Sequence, residues 1–189
     1  MLKPSSISAV AALGLLAAGC NGQGLTVVRP VTHDYAYTPQ FVNDLAQYGA
    51  VPTEVVGNPF DARKERLDEV VTQTVRTAHF GQDLDFTTTP PADSLSPYRL
   101  VVLFNPARNA RPERLCSDSN QPTAAAEDRV AVMMAFCSSD YRISSTVGSR
   151  GGVSGVEDPG FRDLLAGTVT VLLPPQRYDI NSPEGRRRS

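Results

Sequence analysis

Charged and apolar positions between residues 60 and 81 repeat with the period of an α-helix. Asp61 carries a short carboxylate that can accept hydrogen bonds from the first free amides of a helix, so we expect it to cap this one. Phe60 would pack onto the first turns, and Gly81 lies just beyond the end. We interpret the charged face as a solvated surface rather than a binding site. The apolar face comprises Leu67, Val70, Val71, Val75 and Ala78.

A second helix is predicted near the end of the chain, in "EDPGFRDLLAGTVTVLLPP". Asp158 is a suitable cap, and Pro159 occupies the first helical position, where its missing N–H is not needed. The segment "TVTVLL" would also suit a strand, so the pattern leaves the end of this helix open. The residues expected on the buried face are Phe161, Leu164, Leu165, Val169 and Leu172.

Two strands are predicted in the middle of the chain. The run "YRLVVLFNP", residues 98–106, is continuously apolar and indicates a central strand. Residues 129–138 indicate a second strand, followed by a possible third after a turn near Ser139 and Asp140. Alternation places two sets of the 129–138 side chains on opposite faces. One set is Arg129, Ala131, Met133, Ala135 and Cys137, and the other is Val130, Val132, Met134 and Phe136.

Shorter elements are expected elsewhere. Thr53 to Val56 predict a strand before the first helix, and "LTVVRPV", residues 25–31, predicts an edge strand at most because of Pro30. Residues 38–50 predict a short helix. The segment 106–128 is too polar and proline-broken for a regular element. "GSRGGVSG", residues 148–155, is interpreted as a mobile hairpin loop, since it lacks the Gly-Lys-Ser/Thr ending of a phosphate loop.

Together these patterns predict an α+β domain. We expect a two-layer architecture, with an antiparallel sheet of about four strands and two or three helices packed on one face. The domain is expected to span residues 51–177, and residues 178–189 form a polar, flexible basic tail that includes the consecutive arginines Arg186, Arg187 and Arg188.

The start of the chain has the pattern of a secretory signal. Lys3 precedes a mostly apolar run from Ile7 to Ala18, which at about a dozen residues is too short to span a bilayer. The run ends in Leu-Ala-Ala-Gly-Cys, residues 16–20, which resembles the lipobox of bacterial lipoproteins. An ordinary signal peptide or a buried helix is the alternative interpretation.

The lipobox resemblance implies where the protein is located and how it is anchored, but it implies no activity. Residues 1–19 would be a lipoprotein signal peptide, Cys20 would carry the lipid, and residues 20–50 would form a lipidated tether and N-terminal segment. The partner would then be a membrane, reached through the N-terminal lipid, at the periplasmic side of a bacterial envelope. In the sorting pattern of enteric bacteria, an Asp directly after the lipidated cysteine favours retention in the inner membrane. This chain has Asn21 at that position, which favours the outer membrane.

Two further cysteines, Cys116 and Cys137, remain if Cys20 is lipidated. In an oxidising compartment an even pair most simply forms a disulfide. Two free thiols, or a metal or nucleophile site, are the alternatives. Neither cysteine has a Cys-x-x-Cys partner, and His33 and His79 are the only histidines.

Charge and composition argue against several functions. The chain has 189 residues, with 18 basic and 20 acidic side chains, so we expect no nucleic-acid partner. We recognise no catalytic residues, metal ligands or cofactor motif. Two nearby aspartates, Asp83 and Asp85, with Asp93 further on, lack the rest of a calcium loop. A role for His79 at a helix end would be electrostatic.

The sequence therefore predicts a membrane-anchored envelope lipoprotein with a non-catalytic binding or structural role, whose partner is an envelope protein or cell-wall component. The alternative is an envelope enzyme acting on cell-wall or lipid material, using the polar loop 106–128 or the glycine-rich segment.

Overall fold

A computed structural model describes residues 24–34, 37–38, 42, 45–81, 83–94, 96–125 and 128–174. The predicted signal peptide, Cys20 and the basic tail 178–189 lie outside these residues. Residues 39–41, 43 and 44 of the helix expected at 38–50 also lie outside them, whereas Val42 and Leu45 are helical and Ala46–Tyr48 form a short 3-10 turn. No α-helix in the described ranges is both long and apolar enough to cross a bilayer.

One mixed sheet of seven strands organises the described chain, in the order β1-β7-β6-β5-β3-β4, with β2 also paired to β7. Two α-helices pack on it. The strands are β1 (Val27–Val28), β2 (Thr32–His33), β3 (Ala50–Val56), β4 (Asp85–Thr87), β5 (Tyr98–Phe104), β6 (Arg129–Ser138) and β7 (Tyr141–Gly151). The helices are α1 (Lys64–Ala78) and α2 (Pro159–Leu172).

The sheet corrects the prediction of an antiparallel sheet of about four strands, although the protein is α+β overall. β3 runs parallel to both β4 and β5, whereas β5, β6 and β7 are antiparallel neighbours. The parallel pairs arise because α1 carries the chain back across the sheet before β4 and β5 begin. β1 lies within the edge strand expected at residues 25–31, whereas β2 and β4 add strands of only two and three residues to the predicted set.

Both helices cover the same face of the sheet. The apolar face predicted for α2 is fully buried, and on α1 Leu67, Val70, Val71 and Val75 are buried with Thr74. Phe161 of α2 packs against Phe104 of β5 and edge-on against Phe60, with ring centroids 5.5 and 4.9 Å apart. The sequence pattern did not determine where α2 ends, and in the structure this helix continues to Leu172.

The start of α1 differs from the prediction. The helix begins at Lys64 with Arg63 as its N-cap, so Asp61 does not cap it. Asp61 instead adopts a left-handed backbone conformation with φ of 52°. The turn is held by Asn58, whose Nδ2 donates to the Ala62 carbonyl at 2.6 Å and whose Oδ1 accepts from the Ala62 N–H at 3.2 Å.

β6 confirms the predicted division of its two faces. Val130, Val132, Met134 and Phe136 enter the core beneath the helices. Met133, Ala135 and Cys137 enter a second apolar cluster on the opposite face. The sheet is therefore buried on both sides at its centre.

The first half of the glycine-rich segment 148–155 is part of a strand, which corrects the prediction of a hairpin loop there, whereas residues 152–155 lie outside any helix or strand. Gly148 to Gly151 belong to β7, paired with β6 on one side and in part with β1 on the other. A Cβ at Gly148 would clash with Thr168 of α2, so glycine is needed at that position.

Candidate functional site

The chain after β5 folds back over the sheet face opposite the helices, and we call residues 105–125 the covering loop. It contributes Ala110, Leu115 and Cys116 to the second apolar cluster, above Val101 and Leu103 of β5. A disulfide joins Cys116 to Cys137 of β6, with Cα atoms 5.6 Å apart, and so confirms the predicted pairing. The neighbouring strands β5 and β6 are antiparallel.

Polar side chains fix both ends of the covering loop. Asn105 exchanges two hydrogen bonds with Ala131, since its N–H donates to the Ala131 carbonyl at 2.8 Å and its Oδ1 accepts from the Ala131 N–H at 3.0 Å. Buried Gln121 does the same with Arg111, accepting from its N–H at 2.6 Å and donating to its carbonyl at 2.9 Å. These bonds satisfy backbone groups that no regular element would pair.

Arg99 of β5 links the covering loop at Cys116 to the turn after β6. Its guanidinium donates to the Ser139 carbonyl at 2.8 Å and to the Cys116 carbonyl. The covering loop is therefore held by a disulfide, by packing and by side-chain hydrogen bonds, although it contains little regular structure.

Three exposed arginines lie on this loop, Arg108, Arg111 and Arg114. None takes part in the ion pairs found among the described residues. We call these residues the arginine triad. The triad was not predicted from the sequence, although arginine recurs there at every third position, close to a cysteine of the predicted disulfide.

Two arginines on the helix side, Arg66 and Arg162, form ion pairs by contrast. Arg66 of α1 binds both oxygens of Glu157 at 2.5 and 2.8 Å and also reaches Glu69 at 2.6 Å. The hydrogen bond from Arg66 is the main reason that the pKa of Glu157 lies below its usual range. Arg162 adds a contact to Glu157 at 3.0 Å.

The arginine triad is suited to binding anions. A guanidinium stays charged at all physiological pH values and presents a planar set of N–H donors that matches carboxylate and phosphate oxygens. Because the loop is already ordered by the disulfide, binding would cost little additional conformational entropy.

A groove of about 400 Å³ between α1 and α2 is a second candidate. Its charged residues are already used: Arg162 binds Glu157, and Asp163 lies 3.6 Å from Arg150. Neither charged residue that lines the groove is free to bind a ligand, so we regard the groove as a surface depression. It is lined by Gln73, Thr74, Thr77, Arg162, Asp163 and Ala166.

A buried polar group lies under the helices beside β2. The His33 ring stacks on Tyr37 with centroids 4.4 Å apart, and the Tyr37 hydroxyl donates to the Pro174 carbonyl at 2.8 Å. Burial raises the pKa of Tyr37 to about 12. Ser144 stands opposite His33 in register, but its side chain is fully buried, so no substrate reaches this serine. We interpret the group as part of the core.

The other residues considered in sequence do not form a site. Asp85 pairs with Arg76, and His79 Nδ1 lies 3.1 Å from the Val75 carbonyl at the end of α1. In the described ranges no three His, Cys, Asp or Glu side chains are grouped so that they could hold a metal. The covering loop contains neither of the two histidines.

Comparison with known proteins gives a fold likeness only. No protein-family model matches this chain, and no curated protein matches it. Two solved structures of the PelC dodecamer from Paraburkholderia phytofirmans are similar to it. The first, a single-substitution variant, has 15% identity and a TM-score of 0.44, and covers 79% of this chain and 99% of its own. The second has 15% identity and a TM-score of 0.42, and covers 80% of this chain and 98% of its own. We draw nothing about function from either.

Proposed function

We propose that this chain is a lipid-anchored protein of the bacterial envelope whose folded domain binds an anionic envelope component without catalysing a reaction. The lipobox-like residues 16–20 support the anchor at Cys20. The Cys116–Cys137 disulfide supports an oxidising compartment, since such bonds are rare in the cytosol. Asn21 favours the periplasmic side of the outer membrane.

The arginine triad carries the binding proposal. Three exposed guanidiniums that form no ion pair with any described residue lie on a loop that a disulfide and buried hydrogen bonds hold in place. The partner is an envelope protein or cell-wall component that presents carboxylates or phosphates. A lipid anchor concentrates the domain near such a partner, so weak charged contacts suffice.

Lipidation is tested by metabolic labelling with a palmitate analogue. The wild-type chain should carry the label and Cys20→Ala should lose it. Equal labelling of the two proteins would refute the anchor.

Binding is tested by photo-crosslinking in intact cells, with a crosslinking amino acid at Asn109, inside the triad, or at exposed Glu65 on α1. The Asn109 position should give a discrete adduct that disappears when Arg108, Arg111 and Arg114 are all changed to Glu. The matched control is Arg63→Glu, an exposed arginine before α1, which should leave the adduct intact. An adduct that survives the triple reversal would contradict the proposal.

A further inference from the structure

The tether between the proposed lipid and the folded domain is very short. The described domain begins at Gly24, four positions after Cys20. At a maximum of roughly 3.6 Å per residue, the two Cα atoms lie within about 14 Å of each other. This step depends on the lipid anchor proposed above. It follows that the start of the domain stays at the height of the lipid headgroups.

The first described residues have no freedom to lengthen that tether. A Cβ on Gly24 would lie 2.1 Å from the Gly151 carbonyl oxygen, so Gly24 is in close backbone contact with β7. Arg150 donates to the Thr26 hydroxyl at 2.7 Å, and the Arg29 N–H donates to the Val147 carbonyl at 2.9 Å. The lipid is therefore attached to one edge of the sheet, the edge formed by β1.

That edge exposes apolar side chains. Leu25 is 80% exposed and Val27 is 48% exposed. Thr26 and Val28 face α2, because their methyl carbons lie 3.6 and 3.8 Å from the Cβ position of Gly167. Since side chains alternate along a strand, Leu25, Val27 and Arg29 project from the opposite face, away from the helices.

Basic residues flank the two apolar side chains. Arg29 follows them on the same face of β1. Arg129 lies opposite Gly151 in the sheet register, on the same face as Ala131. Both arginines are exposed, and neither belongs to an ion pair in the described part of the chain. An apolar centre beside free cations is typical of surfaces that lie in the headgroup region of a bilayer.

We propose that the surface formed by Leu25, Val27 and Arg29 at the β1 edge, together with Arg129 of β6 on the same face, docks on the bilayer that holds the anchor. Leu25 and Val27 enter the interfacial layer, and the two arginines contact lipid phosphates. Docking fixes the orientation of the domain, with β1 against the membrane and β4, at the other end of the strand order, directed away from it. A second copy is a poorer occupant, because two apolar side chains on a two-residue strand fall far short of the ~800 Å² per partner that a stable interface buries.

The absence of tryptophan from the chain provides a direct test. Leu25→Trp places a single fluorophore at the proposed contact. The mature full-length protein is purified from membranes and reconstituted in vesicles of phosphatidylethanolamine and phosphatidylglycerol, with or without dibrominated acyl chains. We expect blue-shifted emission and loss of roughly half the intensity in the brominated vesicles, as for a side chain buried ~5–10 Å into the interface.

Phe80→Trp is the matched control. Phe80 is also exposed, at 60%, but it follows α1, which packs against β4 at the far edge of the sheet. Its emission should be the same in brominated and unbrominated vesicles. Equal quenching at the two positions, or none at Leu25→Trp, would overturn the docking proposal.

Charge reversal tests the arginines. Arg29→Glu in the Leu25→Trp background should reduce the quenching by about half, because each basic residue near an anionic surface contributes ~1 kcal/mol of attraction. Arg63→Glu, a reversal of the same size on the helix side, should leave it unchanged. Quenching that is insensitive to both would show that the arginines do not contact lipid.

The outcomes separate this proposal from the lipid anchor. A labelled, anchored protein whose Leu25→Trp fluorophore stays in water would refute docking and leave the anchor intact. A chain that is never lipidated would refute both. A third outcome would assign the edge to a second copy instead. In that case Leu25→Trp shows no quenching, mass photometry of wild-type proteoliposome extracts shows a defined oligomer, and Leu25→Glu loses that oligomer.

Discussion

Gly148 of β7 lies directly beneath Thr168 of α2, with no room between them for a side chain on the strand. A Cβ at Gly148 would stand 2.2 Å from Thr168 Oγ1 and 3.1 Å from Leu164 Cδ1. Both helix residues are fully buried. Glycine is therefore required at this position by the approach of helix and sheet, and the surrounding glycine-rich sequence does not indicate a mobile loop.

Gly148→Ala should lower the free energy of unfolding by about 2 kcal/mol, because the added methyl must displace a packed helix. Urea denaturation followed by circular dichroism measures the change. Gly155→Ala is the control, since a Cβ there meets nothing within 4 Å and the stability should be unchanged.

The same contact predicts a coupling between the two residues. Thr168→Ala removes the nearest clashing atom and should restore part of the stability lost in Gly148→Ala, with the Leu164 contact still unrelieved. Strictly additive effects in this double-mutant cycle would show that Thr168 is not the obstacle.

Removing the disulfide should destabilise the domain through the unfolded chain. The bond closes a sequence separation of 21 residues, which the loop-entropy model equates with about 3 kcal/mol. We expect Cys116→Ala combined with Cys137→Ala to lower the free energy of unfolding by that amount in urea. Reduction of the wild-type protein should give a similar loss, and a double variant as stable as the oxidised wild type would contradict the bond.

Asp158 should stabilise the start of α2. Its carboxylate accepts from the Gly160 N–H at 2.8 Å and from the Ser154 N–H and hydroxyl at 2.9 and 2.8 Å. Asp158→Ala should cost about 1 kcal/mol at neutral pH. Asp163→Ala, which removes an exposed carboxylate further along the same helix, should cost less than about half of that.

The contribution of Asp158 should depend on pH. The Ser154 and Gly160 hydrogen bonds lower the pKa of Asp158 in the folded state. The stabilisation is therefore complete above the unfolded carboxyl pKa of about 3.9 and is lost as the pH falls through the lower folded value. Urea titrations of wild type and Asp158→Ala should converge in acid, and a constant difference down to the lowest accessible pH would contradict this assignment.

Tyr37 should titrate later than an ordinary tyrosine. Burial raises its pKa to about 12, so its contribution to stability is present below pH ~10 and declines between ~10 and ~12. Tyr37→Phe should remove an ultraviolet phenolate transition near pH 12. It should also cost about 1 kcal/mol at neutral pH, because the buried Pro174 carbonyl loses its donor. Tyr48→Phe, at a partly exposed ring, should leave stability unchanged.

Local patterns were enough to predict several features correctly. The alternation in residues 129–138 gave the two faces of β6, since neighbouring side chains on any strand point to opposite sides. The Asp158–Pro159 pair identified the start of α2, because capping depends only on a few adjacent residues. The even cysteine pair identified the disulfide.

The candidate binding surfaces could not be predicted from local sequence patterns. The positions of Arg108, Arg111 and Arg114 were visible in the sequence, but that they are exposed and unpaired depends on where distant carboxylates lie. The location of Leu25 and Val27 at an open sheet edge depends on the pairing of β1 with β7, more than a hundred residues away in the chain.

What the sequence determined by itself was local: the strand and helix cores, the cap of α2, the cysteine pair and the lipobox-like start. Each depends on the spacing of a few neighbouring residues. The tertiary structure alone decided the mixed seven-stranded sheet, the turn that delays α1 past Asp61 and the need for glycine at 148. These features depend on which segments meet after α1 reverses the chain. Contacts between segments that are distant in sequence stabilise them, and such contacts produce no repeating pattern of apolar and polar residues from which they could be predicted.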